Sequence, residues 1–175
     1  HPSGRKIANS FGHKIIQAVP SLFSFSLEES FLQKCSGISI ENVDLKLIIN
    51  QTSFIEKGPV LLTHKGISGP AVLKLSAFAA RDLFDNNYQA NLMVNWVDQD
   101  IESLKLLFRR FRNKMSRSRL DSSRPFSFLP KRFWIYILAH SGIDPAIRWA
   151  ELPAYMEKKL LQSLTASQYQ IIGRG

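Results

Sequence analysis

The stretch Tyr88-Gln89-Ala90-Asn91-Leu92-Met93-Val94-Asn95-Trp96-Val97, continued by Asp98-Gln99-Asp100 and then Ile101-Glu102-Ser103-Leu104-Lys105-Leu106-Leu107-Phe108-Arg109-Arg110-Phe111-Arg112-Asn113-Lys114-Met115, decides the fold class. In its first part Ala90, Leu92, Val94 and Trp96 recur at every second position, as in a strand with one face on a core. In its second part Ile101, Leu104, Leu107, Phe108, Phe111 and Met115 form one helical stripe, with Lys105, Arg109, Arg112 and Ser116 opposite. The period changes from two to about 3.6. Strands precede the change and helices follow it, which predicts an α+β fold.

On the N-terminal side, Ile7, Ala8 and Phe11 are spaced as a short helix, with Gly12 as its stop and extended chain beyond. Leu22, Phe23 and Phe25 alternate imperfectly with Ser between Pro20 and Ser26, while Ile38, Ile40, Val43, Leu45, Leu47 and Ile49 alternate with polar residues. These predict strands with one wet face. Glu56-Lys57-Gly58 reads as a turn, and Pro59 to Thr63 as a short strand buried on both sides. Pro70 then opens a helix to about Phe84, capped by Ser68 or Gly69 and apolar over most of its circumference. Such a helix must be covered.

On the C-terminal side, residues 116 to 127 are rich in Ser and Arg and read as a mobile loop with little to bury. Helices follow from Pro130, from Asp144-Pro145 for a short one, and from Glu151-Leu152-Pro153 to about Ser163. Leu164 to Ile172 returns to extended chain, and such a strand pairs with the first sheet because nothing else can satisfy its hydrogen bonds. The two chain ends then lie close together, as in an inserted domain. The reading divides the chain into an edge segment at 1–19, a β-rich subdomain with one buried helix at 20–98, an all-helical lobe at 99–164, and a returning strand at 165–175.

The chain has 175 residues, 45% of them hydrophobic and 21% charged, which excludes a disordered segment. Its longest apolar run, Phe133 to Ala139, falls far short of the roughly 20 residues of a membrane span. Cys35, the only cysteine, has no partner for a disulfide and points to a reducing cytoplasm. Charge is concentrated: between Arg109 and Arg132 nine cations face Asp121 alone, giving +8 of the chain's +9. A block of this kind suits a polyanion, with Arg109, Arg112, Arg117, Arg119 and Arg124 as candidate contacts, or it is a solvated helix face followed by a basic loop. Phe108, Phe111, Phe133 and Trp134 lie on apolar stripes, which leaves few aromatic side chains for stacking on bases.

The chemistry of a complete active site is absent. His1, His13, His64 and His140 have no carboxylate or thiol at ligand spacing, so no metal site is predicted. No G-x-S-x-G, G-x-x-x-x-G-K-[ST] or G-x-G-x-x-G occurs, and no catalytic residue is assigned. The acidic pair Glu28-Glu29 has no recognisable partner, and Asp98 to Glu102 suits the start of a helix. One segment remains: His64-Lys65-Gly66-Ile67-Ser68-Gly69-Pro70, a strand end, a glycine-punctuated turn and a helix start. Its glycines and free N–H groups suit close approach to a ligand, or else a tight turn with Ser68 as cap and His64 at the surface.

Val60-Leu61-Leu62-Thr63-His64-Lys65-Gly66-Ile67-Ser68-Gly69-Pro70-Ala71-Val72-Leu73, followed by Leu75-Ser76, resembles the signature of the HI0933-like family of bacterial flavoproteins, NAD(P)/FAD-dependent oxidoreductases. The resemblance extends to Gly12-His13, Pro20-Ser21-Leu22-Phe23, Leu129-Pro130-Lys131-Arg132 and Gly173-Arg174-Gly175. It implies a small barrel-like antiparallel β subdomain with a helical lobe, inserted between the halves of a Rossmann-like FAD domain whose fingerprint lies outside this chain. It implies that FAD belongs to the full-length protein, that none is expected in this piece, and that the insert covers the flavin and shapes the substrate pocket without catalysing alone. The turn with His64, Gly66, Ser68, Gly69 and Pro70 then faces flavin and substrate. The expected partners are the flavin domain of the same polypeptide, a small-molecule substrate and NAD(P)H. Neither a membrane nor nucleic acid is expected, and the basic block at 109–132 carries the alternative of a nucleic-acid-binding module.

Overall fold

A computed structural model describes residues 2–28 and 34–175. His1 and Glu29, which the sequence reading touched, lie outside the described residues. The fold is α+β: six antiparallel strands close into a barrel, and six α-helices accompany it among the described residues. The strands are β1 (Phe25–Leu27), β2 (Ser39–Ile49), β3 (Thr52–Leu62), β4 (Gly66–Ser68), β5 (Ala90–Asn95) and β6 (Ser167–Arg174). The helices are α1 (Pro2–Ser10), α2 (Pro70–Phe78), α3 (Ala80–Asp85), α4 (Ile101–Met115), α5 (Lys131–His140) and α6 (Ala154–Thr165). Around the barrel the order is β1-β4-β3-β2-β5-β6, and β6 closes the ring on β1. The returning strand pairs with the first sheet, as its lack of another partner required.

Alternation makes the barrel. In β2, Ile40, Val43, Leu45, Leu47 and Ile49 are buried, while Glu41 and Lys46 are exposed. The register shifts between Ile40 and Val43, so Glu41 and Asn42 form a bulge, with Asn42 in the left-handed region. Ala90, Leu92 and Val94 of β5 are buried with Tyr169 and Ile171 of β6. The barrel core runs on into the helices: the Trp96 ring meets Phe133 at 4.9 Å and Tyr169 at 6.1 Å, and the Trp96 N–H donates to Leu164 O.

Several sequence expectations need correction. Glu56-Lys57-Gly58 is the middle of β3, opposite Leu45, Asp44 and Val43, and the real turn is Asn50-Gln51 between Ile49 and Thr52. Asn50 supplies the positive φ of 52° that a two-residue hairpin needs. Lys57 pairs with Asp44 of the neighbouring strand and with Asp98 in the loop after β5. The strand at Pro59 to Thr63 is buried on one side only, since Leu61 points outward between Val60 and Leu62. The helix from Pro70 breaks at Ala79 into α2 and α3, and its coverage is one-sided: Ala71, Val72, Leu75 and Ser76 are buried, whereas Phe78 is 69% exposed. Of the Pro20 to Ser26 stretch only Phe25 and Ser26 are strand, as the start of β1, and Leu22 takes a φ of 58°. At Asp144-Pro145 the structure has a turn in which Asp144 Oδ1 accepts from the Ala146 N–H, and a 3₁₀ turn follows at Trp149–Glu151.

The segment 116 to 127 is the largest departure. Leu120, Ser123 and Phe126 are buried, the Trp134 indole N–H donates to Leu120 O at 2.8 Å, and the Trp149 indole N–H donates to Ser123 Oγ at 2.8 Å. Arg119 also bridges to Arg148. The composition of a loop conceals a segment pinned by two tryptophans from beyond its own end.

Candidate functional site

Antiparallel pairing of Phe25 with Ile67 and with Arg174 puts Ser24, Ser68 and Gly175 together at one rim of the barrel. The Gly175 N–H donates to Ser24 O at 2.8 Å, and Ser24 Oγ donates to Ser68 Oγ at 2.7 Å. The chain therefore enters the barrel and leaves it at adjacent backbone positions, with Ser68 beside both. Gly69 and Pro70 follow at the start of α2. The Arg174 guanidinium lies 4.7 Å over the Tyr88 ring, which also meets Phe23 and Phe84 edge-on. Leu22, 63% exposed, stands next to this cluster in the chain.

The segment from His64 to Pro70 is not one turn. Thr63 N–H donates to Gly66 O, and Gly66 N–H donates to Thr63 Oγ1, so His64 and Lys65 are the exposed tip of a tight hairpin. Gly66-Ile67-Ser68 is then strand β4, wedged between β1 and β3. His64 lies in the hairpin tip before β4, and Ser68 is the last residue of that strand, at its opposite end. The structure brings Ser68, Gly69 and Pro70 to the chain junction and leaves His64 away from it.

Packing accounts for both glycines. A Cβ at Gly66 would sit 2.1 Å from Phe25 O, so only glycine lets β1 close on β4. Gly69 has a φ of 102°, and a Cβ there would lie 2.9 Å from Pro59 O. Ser68 does not cap α2, whose N-cap is Gly69 without a side-chain bond; its hydroxyl goes to Ser24 instead. The sequence reading missed Ser24, Tyr88 and Arg174. Only strand register unites them, and a one-residue slip would scatter them.

Among the described residues no three His, Cys, Asp or Glu side chains gather as metal ligands. Burial pushes the Cys35 thiol up, against the opposing charge of Arg132, so it is not a ready thiolate. The basic block separates into two sets. Arg112 is structural: it pairs with Glu157 at 3.1 Å and donates to Ala150 O and Leu152 O, tying α4 to the start of α6. Arg119 pairs with Asp121, and Arg132 donates to Ser36 O. Arg124 is half-buried. Arg109, Arg110, Lys114, Arg117 and Lys131 are exposed and form no ion pair with another described residue.

A family described as "HI0933-like protein barrel and H2TH domain" matches residues 19–175. The chain belongs to this family. The barrel of the HI0933-like description is the closed ring of β1 to β6. Over 80 residues the chain is 31% identical to a protein of Escherichia coli (strain K12) named "Ribosomal RNA dihydrouridine synthase", a match covering 44% of this chain and 19% of that protein. Over 79 residues it is 38% identical to a protein of the same name from Haemophilus influenzae (strain ATCC 51907 / DSM 11121 / KW20 / Rd), again covering 44% and 19%. The match spans about a fifth of the length of these relatives. No helix among the described residues is long and apolar enough to cross a membrane.

Proposed function

We propose that this HI0933-like chain is the insert domain of a cytoplasmic FAD-dependent NAD(P)H oxidoreductase that reduces uridine in ribosomal RNA, and that its Ser24–Ser68 rim faces the flavin domain. The observation that carries the insert role is the hydrogen bond from Gly175 N–H to Ser24 O, which sets the two ends of the barrel segment side by side as an insertion requires. The relatives' names supply the substrate class. When bound, the flavin would supply the hydride that reduces a carbon–carbon double bond such as C5=C6 of uracil.

The described residues do not form a cradle for that flavin. Gly66 and Gly69 are filled against backbone, the Gly66 N–H is used by Thr63, and the barrel interior is packed with apolar side chains. No step of the reaction is assigned to this chain. Its part is a wall: paired Ser24 and Ser68 hydroxyls, the Arg174–Tyr88 stack, and the first turn of α2 present a rigid rim that shapes the space over the cofactor and excludes water. Residues 1–19 belong to the edge of the flavin domain in this reading.

The test is an excision from the full-length protein. Replacing residues 25–174 by a linker of a few glycines should leave a yellow protein that oxidises NAD(P)H with an artificial acceptor but forms no dihydrouridine in ribosomal RNA. A shortened protein that loses its flavin would overturn the insert reading, and one that still reduces RNA would overturn the pocket role.

A further inference from the structure

We infer that the outward face of α4 and the turn after it bind the phosphate backbone of structured RNA, through Arg109, Arg110, Lys114 and Arg117. This rests on the RNA-directed reading above and extends it from the barrel rim to the helical lobe. The division of the basic block is the first support. Half-buried Arg112 is committed to Glu157, Arg119 pairs with Asp121 and Arg132 donates to Ser36 O, whereas the four named residues are exposed and have no acidic partner among the described residues. The only acid on α4, Glu102, is held by Lys105 at 2.7 Å one turn from the N-terminus.

Spacing is the second support. Arg110 and Lys114 are one helical turn apart, a rise of about 6 Å, and Arg109 flanks them at about 100° around the axis. Arg117 continues the series from anchored backbone, because Ser116 O accepts from the Ala150 N–H and Ser118 O accepts from the Trp149 N–H. Leu104 and Phe108 fix the opposite face of α4 in the core. The four cations are thus carried on a rigid support, which lowers the entropy lost on binding.

Chemistry selects the partner. Phe108, Phe133 and Trp134 are buried and Phe111 packs partly against them, so this face offers no stacking platform and reads backbone charge and shape rather than bases. Leu106, about one turn before Arg109 and Arg110 on α4, is the large apolar side chain exposed beside them, too little for insertion into a lipid surface.

The experiment uses the full-length protein and a ribosomal RNA fragment, with fluorescence anisotropy across a salt series. Changing Arg109, Arg110 and Arg117 together to Ser should weaken binding at least tenfold near 0.15 M salt and make the slope of log affinity against log salt shallower by about 3. Each single Arg→Gln change should weaken binding about two- to threefold, which keeps the test valid if the triple variant folds poorly. Changing Lys6, Lys46 and Lys74 to Ser removes the same charge elsewhere and should leave affinity within twofold. Equal losses in both triple variants, no wild-type binding near 0.15 M salt, or arginine-dependent binding to phosphatidylserine vesicles instead of RNA would each overturn the inference. Loss of binding in the arginine triple, with no dihydrouridine formed by the wild type, would keep this inference and overturn the catalytic reading.

Discussion

β2 and the segment from 116 to 127 have similar lengths, and both contribute to the core, yet they are fixed by different means. β2 is held by its immediate lateral neighbours, β3 and β5, and half of its side chains are buried by the alternation of the strand itself. The later segment has no regular structure over most of its length. It is held by side chains that the chain supplies afterwards: the indoles of Trp134 and Trp149, and backbone from 145 to 150. A periodic element carries its instructions in its own residues, whereas a pinned loop carries only sockets. The barrel should therefore fail globally when its closure is disturbed, and the lobe locally when one pin is removed.

The strongest way to break the barrel is Gly66→Ala. The new Cβ would sit 2.1 Å from Phe25 O, and the atoms it meets are backbone, so β1 must separate from β4 and the ring must open. The expected loss is at least about 4 kcal/mol in urea unfolding, beyond the range of an ordinary substitution. Gly173→Ala is the control: it lies in β6 with nothing within 4 Å of its Cβ position, and should change stability by less than about 0.5 kcal/mol. Equal effects at the two glycines would mean that closure between β1 and β4 is not what holds the barrel.

Trp149→Phe should act more locally. It removes the indole N–H that reaches Ser123 Oγ and leaves space beside Phe108 and Phe111, for a loss of about 2–3 kcal/mol. Trypsin should then cut after Arg117, Arg119 or Arg124, sites that the folded segment protects. Amide exchange in β2 and β5 should stay slow. Simultaneous loss of protection in the barrel would show that the two regions unfold as one unit.

The same contrast explains what could be read from the chain. The stripe of α4, the alternation of β2 and β5 and the return of β6 were legible because each is a repeat within a short window. β3 was misread at Glu56-Lys57-Gly58 because those residues are favoured in turns, and the reason they form strand is a partner, Asp44, in another strand. At the rim, Gly66, Ser68, Gly69 and Pro70 stood out by type and spacing. That Ser68 belongs with Ser24 and Gly175, and that His64 does not, follows from register across three strands. The basic block was visible as a count. Which arginines are spent internally was not, since the acceptors of Arg112 lie at Ala150, Leu152 and Glu157.

The smallest expected effect concerns Asp100, where the strand-to-helix change occurs. Its Oδ1 accepts from the N–H groups of Glu102 and Ser103 at 2.9 Å, and its Oδ2 accepts from Ser103 Oγ at 2.7 Å, so it caps α4. The Ser103 hydroxyl and N–H hold its carboxyl below the usual aspartate range. A depressed folded pKa gives stability that is fully present above the unfolded value of about 4 and is lost as pH falls through the folded value. Asp100→Ala should lower Tm by a few degrees at pH 7 and flatten the fall in Tm below about pH 4. Asp100→Asn keeps an acceptor for the two N–H groups but no charge, and should recover most of the Tm while keeping the flattened acid limb. If Asn restores the acid limb as well, the pH dependence arises from other carboxylates. If it restores neither, the charge on the α4 dipole matters more than the hydrogen bonds, and the cap works by electrostatics rather than geometry.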